Sequence, residues 1–340
     1  MPELIHDFSR IDFDRPGKHH YQLAFHMDSS WGYSLVPLTI INGLRGANAN
    51  AVVAFGGTHG NEWEGPVAIK RLAADLDAAD ISGRVILMPQ LSASAGIANT
   101  RTSPLDGVNM NRAFPGSARG SISYRIAHFV KTYIFPRVRV VLDIHSGGNE
   151  AVFPHVVSFH PIADPVQRAE MAQVARLFDT PFVMIYSSEM ASGLLTDEAE
   201  AEGKITIGSE FGWAESCNAR GTAHAYEGIR NVLRHYGLLA GEIVRIDLER
   251  KTPPRFVAAP DLESYAPCPR DGIWEPVAEI GGDIAKGALI GRLHDFSDHT
   301  SAALEIRAPG DGVLLMLHFA AVCRKGYTLF VIAEEVNDVG

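Results

Sequence analysis

Long apolar runs are missing from this chain of 340 residues: none reaches the roughly 18 to 20 needed to cross a bilayer. The opening stretch, MPELIHDFSRIDFDRPGKHH, also lacks the apolar core of a signal peptide. A cytoplasmic location and no membrane partner are therefore expected. Cysteine is scarce as well. Cys217, Cys268 and Cys323 lie far apart and form no CxxC pair, which argues against a disulfide framework or a cysteine zinc site. Nor is there a basic excess. The formal net charge is −10, which argues against a nucleic-acid partner but leaves room for one small basic pocket. What remains is ordinary globular composition, 46% apolar and 21% charged, with no internal repeat. The length suits one large domain plus a small one.

The chain alternates between two kinds of pattern. Apolar stretches at 35–45, 51–55, 84–88, 138–144, 181–186 and 204–209 read as strands. Helical periodicity follows or separates them at 65–78, 123–135, 166–178, 193–202 and 221–237. Pro66 fits the first turn of the helix at 65–78. A segment from about 89 to 120 reads as an unusually long loop, of the kind that tends to carry function. Strands alternating with helices predict an α/β fold, a mostly parallel sheet flanked by helices. Near residue 246 the pattern changes. Pro253-Pro254 mark a break, and short strands with glycine turns follow, reading as a smaller C-terminal all-β domain. The expected division is 1–245 and 246–340.

Ligands of a parallel sheet bind beyond the carboxyl ends of its strands. His59, His145 and Glu210 each follow a predicted strand. His59 and Glu62 form an HxxE pair on a glycine-rich turn, three residues apart and so on one face of the following helix. With His145 they make a two-histidine, one-glutamate set, which suits catalytic zinc with an open fourth position. Such zinc lowers the pKa of its water to about 7 and polarises a carbonyl. HxxE alone is common by chance, and a strand-end histidine is often a hydrogen-bonded core residue. The surrounding glycines, Gly56, Gly57, Gly60, Gly147 and Gly148, raise the weight of the metal reading. Glu210 is the candidate general base, although by position alone it reads as a surface glutamate. Arg101 and Arg112 stand on either side of Asp106-Gly107. Arginine suits carboxylates and developing oxyanions, but either one alone could be a surface ion pair.

The string Gly56-Gly57-Thr58-His59-Gly60-Asn61-Glu62, then Asn111-Arg112, Asp143-Ile144-His145 and Glu210-Phe211-Gly212, resembles the succinylglutamate desuccinylase/aspartoacylase family of the zinc carboxypeptidase superfamily. The resemblance spans residues 56–212 in matching order. It implies a zinc carboxypeptidase-like fold and a Zn2+ cofactor held by His59, Glu62 and His145. It assigns Glu210 as the base, Arg101 to the scissile carbonyl, and Asn111 and Arg112 to the substrate's carboxylate. The implied reaction is hydrolysis of an N-acyl amino acid. One position departs: the family often has Asp where this chain has Asn109, which can accept a histidine N–H only without a charge.

Asn-Met-Asn-Arg-Ala-Phe-Pro-Gly and the length resemble a bacterial branch that deacetylates N-acetyl-2,4-diaminobutyrate in ectoine breakdown. Charge leaves two readings open: Glu64, Asp106 and Glu215 have no assigned partner and would favour a cationic side chain if they face the pocket, or else they face solvent or pair within the scaffold. The alternatives are an N-succinyl- or N-acetyl-dicarboxylate hydrolase, a zinc carboxypeptidase, or a non-catalytic binding protein. Turns in the C-terminal segment resemble those of lipoyl carriers, but 293–307 contains no lysine to modify. The segment is read instead as a structural or oligomerisation module, which admits a homo-oligomer.

Overall fold

The computed structural model describes residues 1–28, 31–187 and 192–337, so the last three positions of the C-terminal segment, 338–340, lie outside the described residues. Three strands open the chain: β1 (Glu3–Ile5), β2 (Gly17–His26) and β3 (Tyr33–Asn42). The α/β part continues with β4 (Ala51–Gly56), α1 (Glu64–Asp75), β5 (Arg84–Met88), α2 (Ala93–Ala98), α3 (Ile122–Phe129) and β6 (Val140–Ile144). Then come β7 (Ala151–Val152), β8 (Val156–Phe159), α4 (Pro165–Arg176), β9 (Phe182–Tyr186), α5 (Leu195–Ala201), β10 (Ile205–Glu210) and α6 (Ala219–His235).

Strands β5, β4, β6 and β10 are parallel neighbours in that order and form the centre of one large sheet. Their residues are mostly buried on both faces, which is why β5, β4 and β6 read as mainly apolar runs, while β10 mixes in Thr206, Gly208 and Ser209. Val52 and Ala54 of β4 face one core, shared with Ile69 and Leu72 of α1 and Ile229 and Leu233 of α6. Val53 and Phe55 face the other, shared with Phe25 of β2 and Ile126 and Phe129 of α3. The sheet thus has apolar layers on both sides, as the alternation of elements predicts. Several features differ from the sequence reading, the opening strands β1 and β2 among them. The stretch 89–120 contains the short helix α2, ended by Asn99 in the left-handed region at φ 52°. The strand β8 was not expected, and it runs antiparallel to β10.

The C-terminal segment supplies β11 (Arg255–Ala259), β12 (Tyr265–Pro267), β13 (Gly272–Pro276), β14 (Asp283–Ile284), β15 (Leu289–His294), β16 (Leu304–Arg307), β17 (Gly312–His318), β18 (Val322–Cys323) and β19 (Thr328–Glu335). Strands β16, β15, β13 and β18 form a separate antiparallel sheet. The others extend the large sheet: β11 pairs in parallel with β9, and β19 and β17 follow it. Strand β17 also pairs with β7, bringing Leu317 opposite Val152 and His318 opposite Ala151.

One carboxylate gathers several donors in the link between α6 and β11, where Asn231 also bonds Val244. Asp179 Oδ2 accepts from Arg245 Nε at 2.9 Å, Ile246 N at 2.7 Å and Asp247 N at 2.9 Å, while Oδ1 pairs with Arg250. Burial works against its ionisation, but these donors outweigh burial and hold the carboxyl below the usual aspartate range. A carboxyl lowered on folding stabilises above its unfolded pKa of about 3.9 and loses that contribution as pH falls through its folded pKa. Asp179→Asn should therefore cost about 1.5–3 kcal/mol at pH 7, the range for hydrogen bonds to a charged group. The gap to the parent, read by urea unfolding, should narrow as pH drops below about 3.9. A gap that does not change with pH would mean the charge is not what matters.

Candidate active site

Parallel register explains why residues distant in sequence meet. Phe55 of β4 lies opposite Asp143 of β6, and Asp143 lies opposite Gly208 of β10. The three carboxyl ends are therefore level, and His59, His145 and Glu210 emerge beside one another. The turn after β4 needs glycine: Gly57 sits at φ 61°, and a Cβ there would meet Gln90 Nε2 at 2.3 Å. After β10, a Cβ on Gly212 would lie 1.8 Å from Glu64 Oε1.

His59, Glu62 and His145 are all buried, and one ligand atom from each lies within 4.8 Å of the others. His59 Nδ1 faces Glu62 Oε1 at 2.7 Å, and His145 Nδ1 faces Glu62 Oε2 at 2.9 Å. The far nitrogen of each ring is also held. His59 Nε2 lies 3.0 Å from Asn109 Oδ1, and His145 Nε2 lies 2.8 Å from Asp143 Oδ2. Oxygen acceptors at both Nε2 atoms favour N–H there, which leaves both Nδ1 lone pairs turned toward Glu62. This donor set fits a divalent cation: two imidazoles, one carboxylate, little solvent, and an outer oxygen fixing each ring. Asn109 does accept the histidine N–H, as its amide allows. Asp143 carries more than the sequence reading gave it. Two residues before His145 on one strand, it shares that side chain's face, and it also accepts from Thr58 Oγ1 at 2.7 Å.

Electrostatics favour a positive ion here. Burial would raise Glu62, but the two histidines outweigh it and hold the carboxylate well below its usual range. Burial would lower His145, yet Asp143 and Glu62 hold it well above. Burial first, then the Glu62 charge, push Glu210 up to about 8. Its Oε2 is buried without a hydrogen-bond partner among the described residues. A cation between the histidines would draw Glu210 down toward the range where a general base works.

His59, His145, Arg101, Asn111, Arg112 and Glu210 all line one cavity of ≈ 310 Å³, with Glu62 buried against the two rings. Arg101 Nη1 lies 3.2 Å from Glu62 Oε1, and its Nε lies 3.5 Å from Glu150. Asn111 Oδ1 accepts from Leu195 N at 2.9 Å, which fixes its side chain, and Arg112 Nη1 donates to Asn111 O at 2.6 Å. Burial, then the neighbouring Arg101, lower the Arg112 pKa, so the pocket holds a partly desolvated guanidinium suited to an anion.

One open sequence reading is decided and one expectation changes. The acids Glu64, Asp106 and Glu215 are engaged by the scaffold. Glu64 accepts from Ser146 Oγ at 2.5 Å and Asn218 N at 2.8 Å. Asp106 accepts from Ser121 Oγ and from Ser123 N at 2.7 and 2.9 Å, holding the start of α3. Glu215 accepts from Asn61 Nδ2 and Asn99 Nδ2 at 3.1 and 3.2 Å. None of the three lines the cavity. The C-terminal segment, in contrast, does reach the site. Tyr265, Met316, Thr328 and Val331 form part of the cavity wall. No local pattern marks these residues, because they come from three separate strands.

Residues 48–236 match the succinylglutamate desuccinylase/aspartoacylase catalytic domain. The chain belongs to that family. It is thus an amidohydrolase of N-acyl amino acids, and its fold and motif order agree with that membership. Among its relatives, the Nα-acetyl-L-2,4-diaminobutyric acid deacetylase of Halomonas elongata is 34% identical, covering 97% of this chain and 95% of the relative. A succinylglutamate desuccinylase/aspartoacylase from Rhodobacter sphaeroides superposes with a TM-score of 0.90 at 30% identity, covering 96% of this chain and 98% of that one. The product-bound ectoine utilization protein EutE from Ruegeria pomeroyi gives 0.88 at 31% identity, covering 96% and 97%. Among the described residues no helix of this family member is long and apolar enough to cross a membrane.

Proposed function

We propose that the protein is a zinc-dependent deacylase that cleaves the amide bond of Nα-acetyl-L-2,4-diaminobutyrate, giving acetate and the free diamino acid, in ectoine catabolism. The observation that carries the reaction is the buried His59–Glu62–His145 group with Glu210 on the same cavity, its Oε2 without a hydrogen-bond partner among the described residues. The name of the Halomonas elongata relative supports the substrate. His59, Glu62 and His145 would hold the zinc, which when bound acidifies a water and polarises a carbonyl. Glu210 accepts the proton of the attacking water and returns it to the departing amine. Arg101 supports the negative charge growing on the acyl oxygen. Arg112, with Asn111 beside it, grips the α-carboxylate. The division at 245/246 into a catalytic domain and a smaller β-domain is part of this proposal, with the smaller part furnishing cavity wall. So is a cytoplasmic location, supported by three free thiols.

The test is kcat/KM for N-acetyl-diaminobutyrate, N-acetyl-ornithine, N-acetyl-aspartate and N-succinyl-glutamate. A well-made charged contact is worth about 10- to 150-fold. The two cationic substrates should lead by such a factor. Leading dicarboxylates would replace the proposed substrate with the alternative class and leave the hydrolase standing.

A further inference from the structure

Two arginines on the cavity wall answer the carboxylate and the acyl oxygen, which leaves the substrate's side chain without a partner. The ends of β8 and β9 and the start of α5 bring Ser158, Tyr186 and Thr196 to the same wall. Tyr186 and Thr196 are joined by a side-chain hydrogen bond. Behind them lies a second group of titratable side chains. His160 directly follows β8, and its ring centroid stands 4.2 Å from that of Tyr186. Its Nδ1 faces Glu200 Oε2 at 2.8 Å and Asp197 Oδ1 at 3.4 Å. Asp197 and Glu200 are three apart on α5 and share one helix face.

The two acids are not equivalent. Glu200 takes the short contact to His160 and also accepts from Thr206 Oγ1. Asp197 has the longer one and a backbone hydrogen bond at Leu194, and no lysine or arginine among the described residues lies within ion-pair distance of it. Two carboxylates share one imidazole, so acids outnumber bases in the cluster. Asp197 and the cavity-lining Arg112 attract one another, which ties the cluster to the cavity.

We propose that Asp197, set beside His160 and Glu200 and one residue beyond the cavity-lining Thr196, selects substrates that carry a cationic side chain. This rests on the deacylase reading above and names the residue that reads the side chain. The α-carboxylate sits on Arg112, and the ammonium then lies toward the Tyr186–Thr196 wall, where Asp197 favours it and disfavours a carboxylate. Unlike Glu64, Asp106 and Glu215, Asp197 directly follows a residue of the cavity wall, although its own carboxylate lies behind that wall with His160 and Leu194.

The experiment compares kcat/KM for N-acetyl-2,4-diaminobutyrate with N-acetyl-norvaline, its near-isosteric neutral analogue. The parent enzyme should prefer the ammonium by about 10-fold or more. In Asp197→Asn that ratio should fall to within about 3-fold, Asp197→Glu should recover part of it, and bound metal per chain should not change. A parent without the preference overturns the proposal. So does a variant that keeps it, or one that loses both substrates alike, as a merely structural residue would. A fall in bound metal in Asp197→Asn overturns it in favour of a second cation site. Should Asp197→Asn fail to fold, Asp197→Ser also removes the charge, and an unchanged ratio there overturns the proposal. The two readings fail differently. If only dicarboxylates are turned over, the substrate itself is wrong. If the ammonium is preferred and Asp197→Asn keeps the preference, only the selector is wrong.

Discussion

Glu210→Gln should keep its metal and lose about 10²- to 10⁴-fold in kcat, the range for removing a general base. The change is nearly isosteric and removes only the ability to take a proton. Oε2 has no hydrogen-bond partner among the described residues, so the substitution breaks no scaffold contact there. Glu62 and the two histidines are untouched, so bound metal should match the parent. Substrate binding through Arg112 should also persist, placing the loss in kcat rather than KM. Near-normal turnover would assign the proton transfer to another residue.

His59→Ala and His145→Ala should each reduce bound zinc from about one per chain to near zero and abolish activity. Either change would remove one of the three proposed protein ligands and leave the buried Glu62 without one of its two imidazole partners, with Arg101 and Ser146 N still in place. Metal analysis gives the first reading and thermal unfolding the second. A metal that binds only the folded state raises Tm, so a chelator should lower the parent's Tm and leave the variants' unchanged. Full activity in a metal-free preparation would refute the metal site altogether.

Much of this site was legible because its residues sit at strand ends. Strands β4, β6 and β10 are buried on both faces and largely apolar, although Asp143 interrupts β6 and Thr206 and Ser209 interrupt β10, and each is followed or ended by a polar residue. Once the strands were read as parallel, convergence of His59, His145 and Glu210 followed. Asn109 was legible as a departure from a known motif. Strand β2 was not, because Lys18, His19 and His20 hide its apolar part. Strand β8 escaped because four residues give too short a run. The cavity wall was illegible for another reason. Met184, Tyr265 and Met316 are single residues on different strands, and only the three-dimensional path joins them. The fate of the three acids stayed open in the sequence on the same account. A carboxylate's partner is usually a backbone N–H or hydroxyl that sequence does not announce, as with Asp106 and Ser123.

The pairing of β17 with β7 bears on how such enzymes can diversify. Strand β7 belongs to the stretch between His145 and the cavity residue Phe153, and Phe319 N donates to Glu150 O at 2.9 Å in the same stretch. The C-terminal strands therefore grip the loop that follows a metal-site residue while presenting Met316 to the cavity. A chimaera joined near residue 246 would inherit a foreign ladder partner for that loop along with the foreign wall. Substrate range and site alignment would then change together, so new specificities are reached more readily by single exchanges along the wall than by trading the whole C-terminal part.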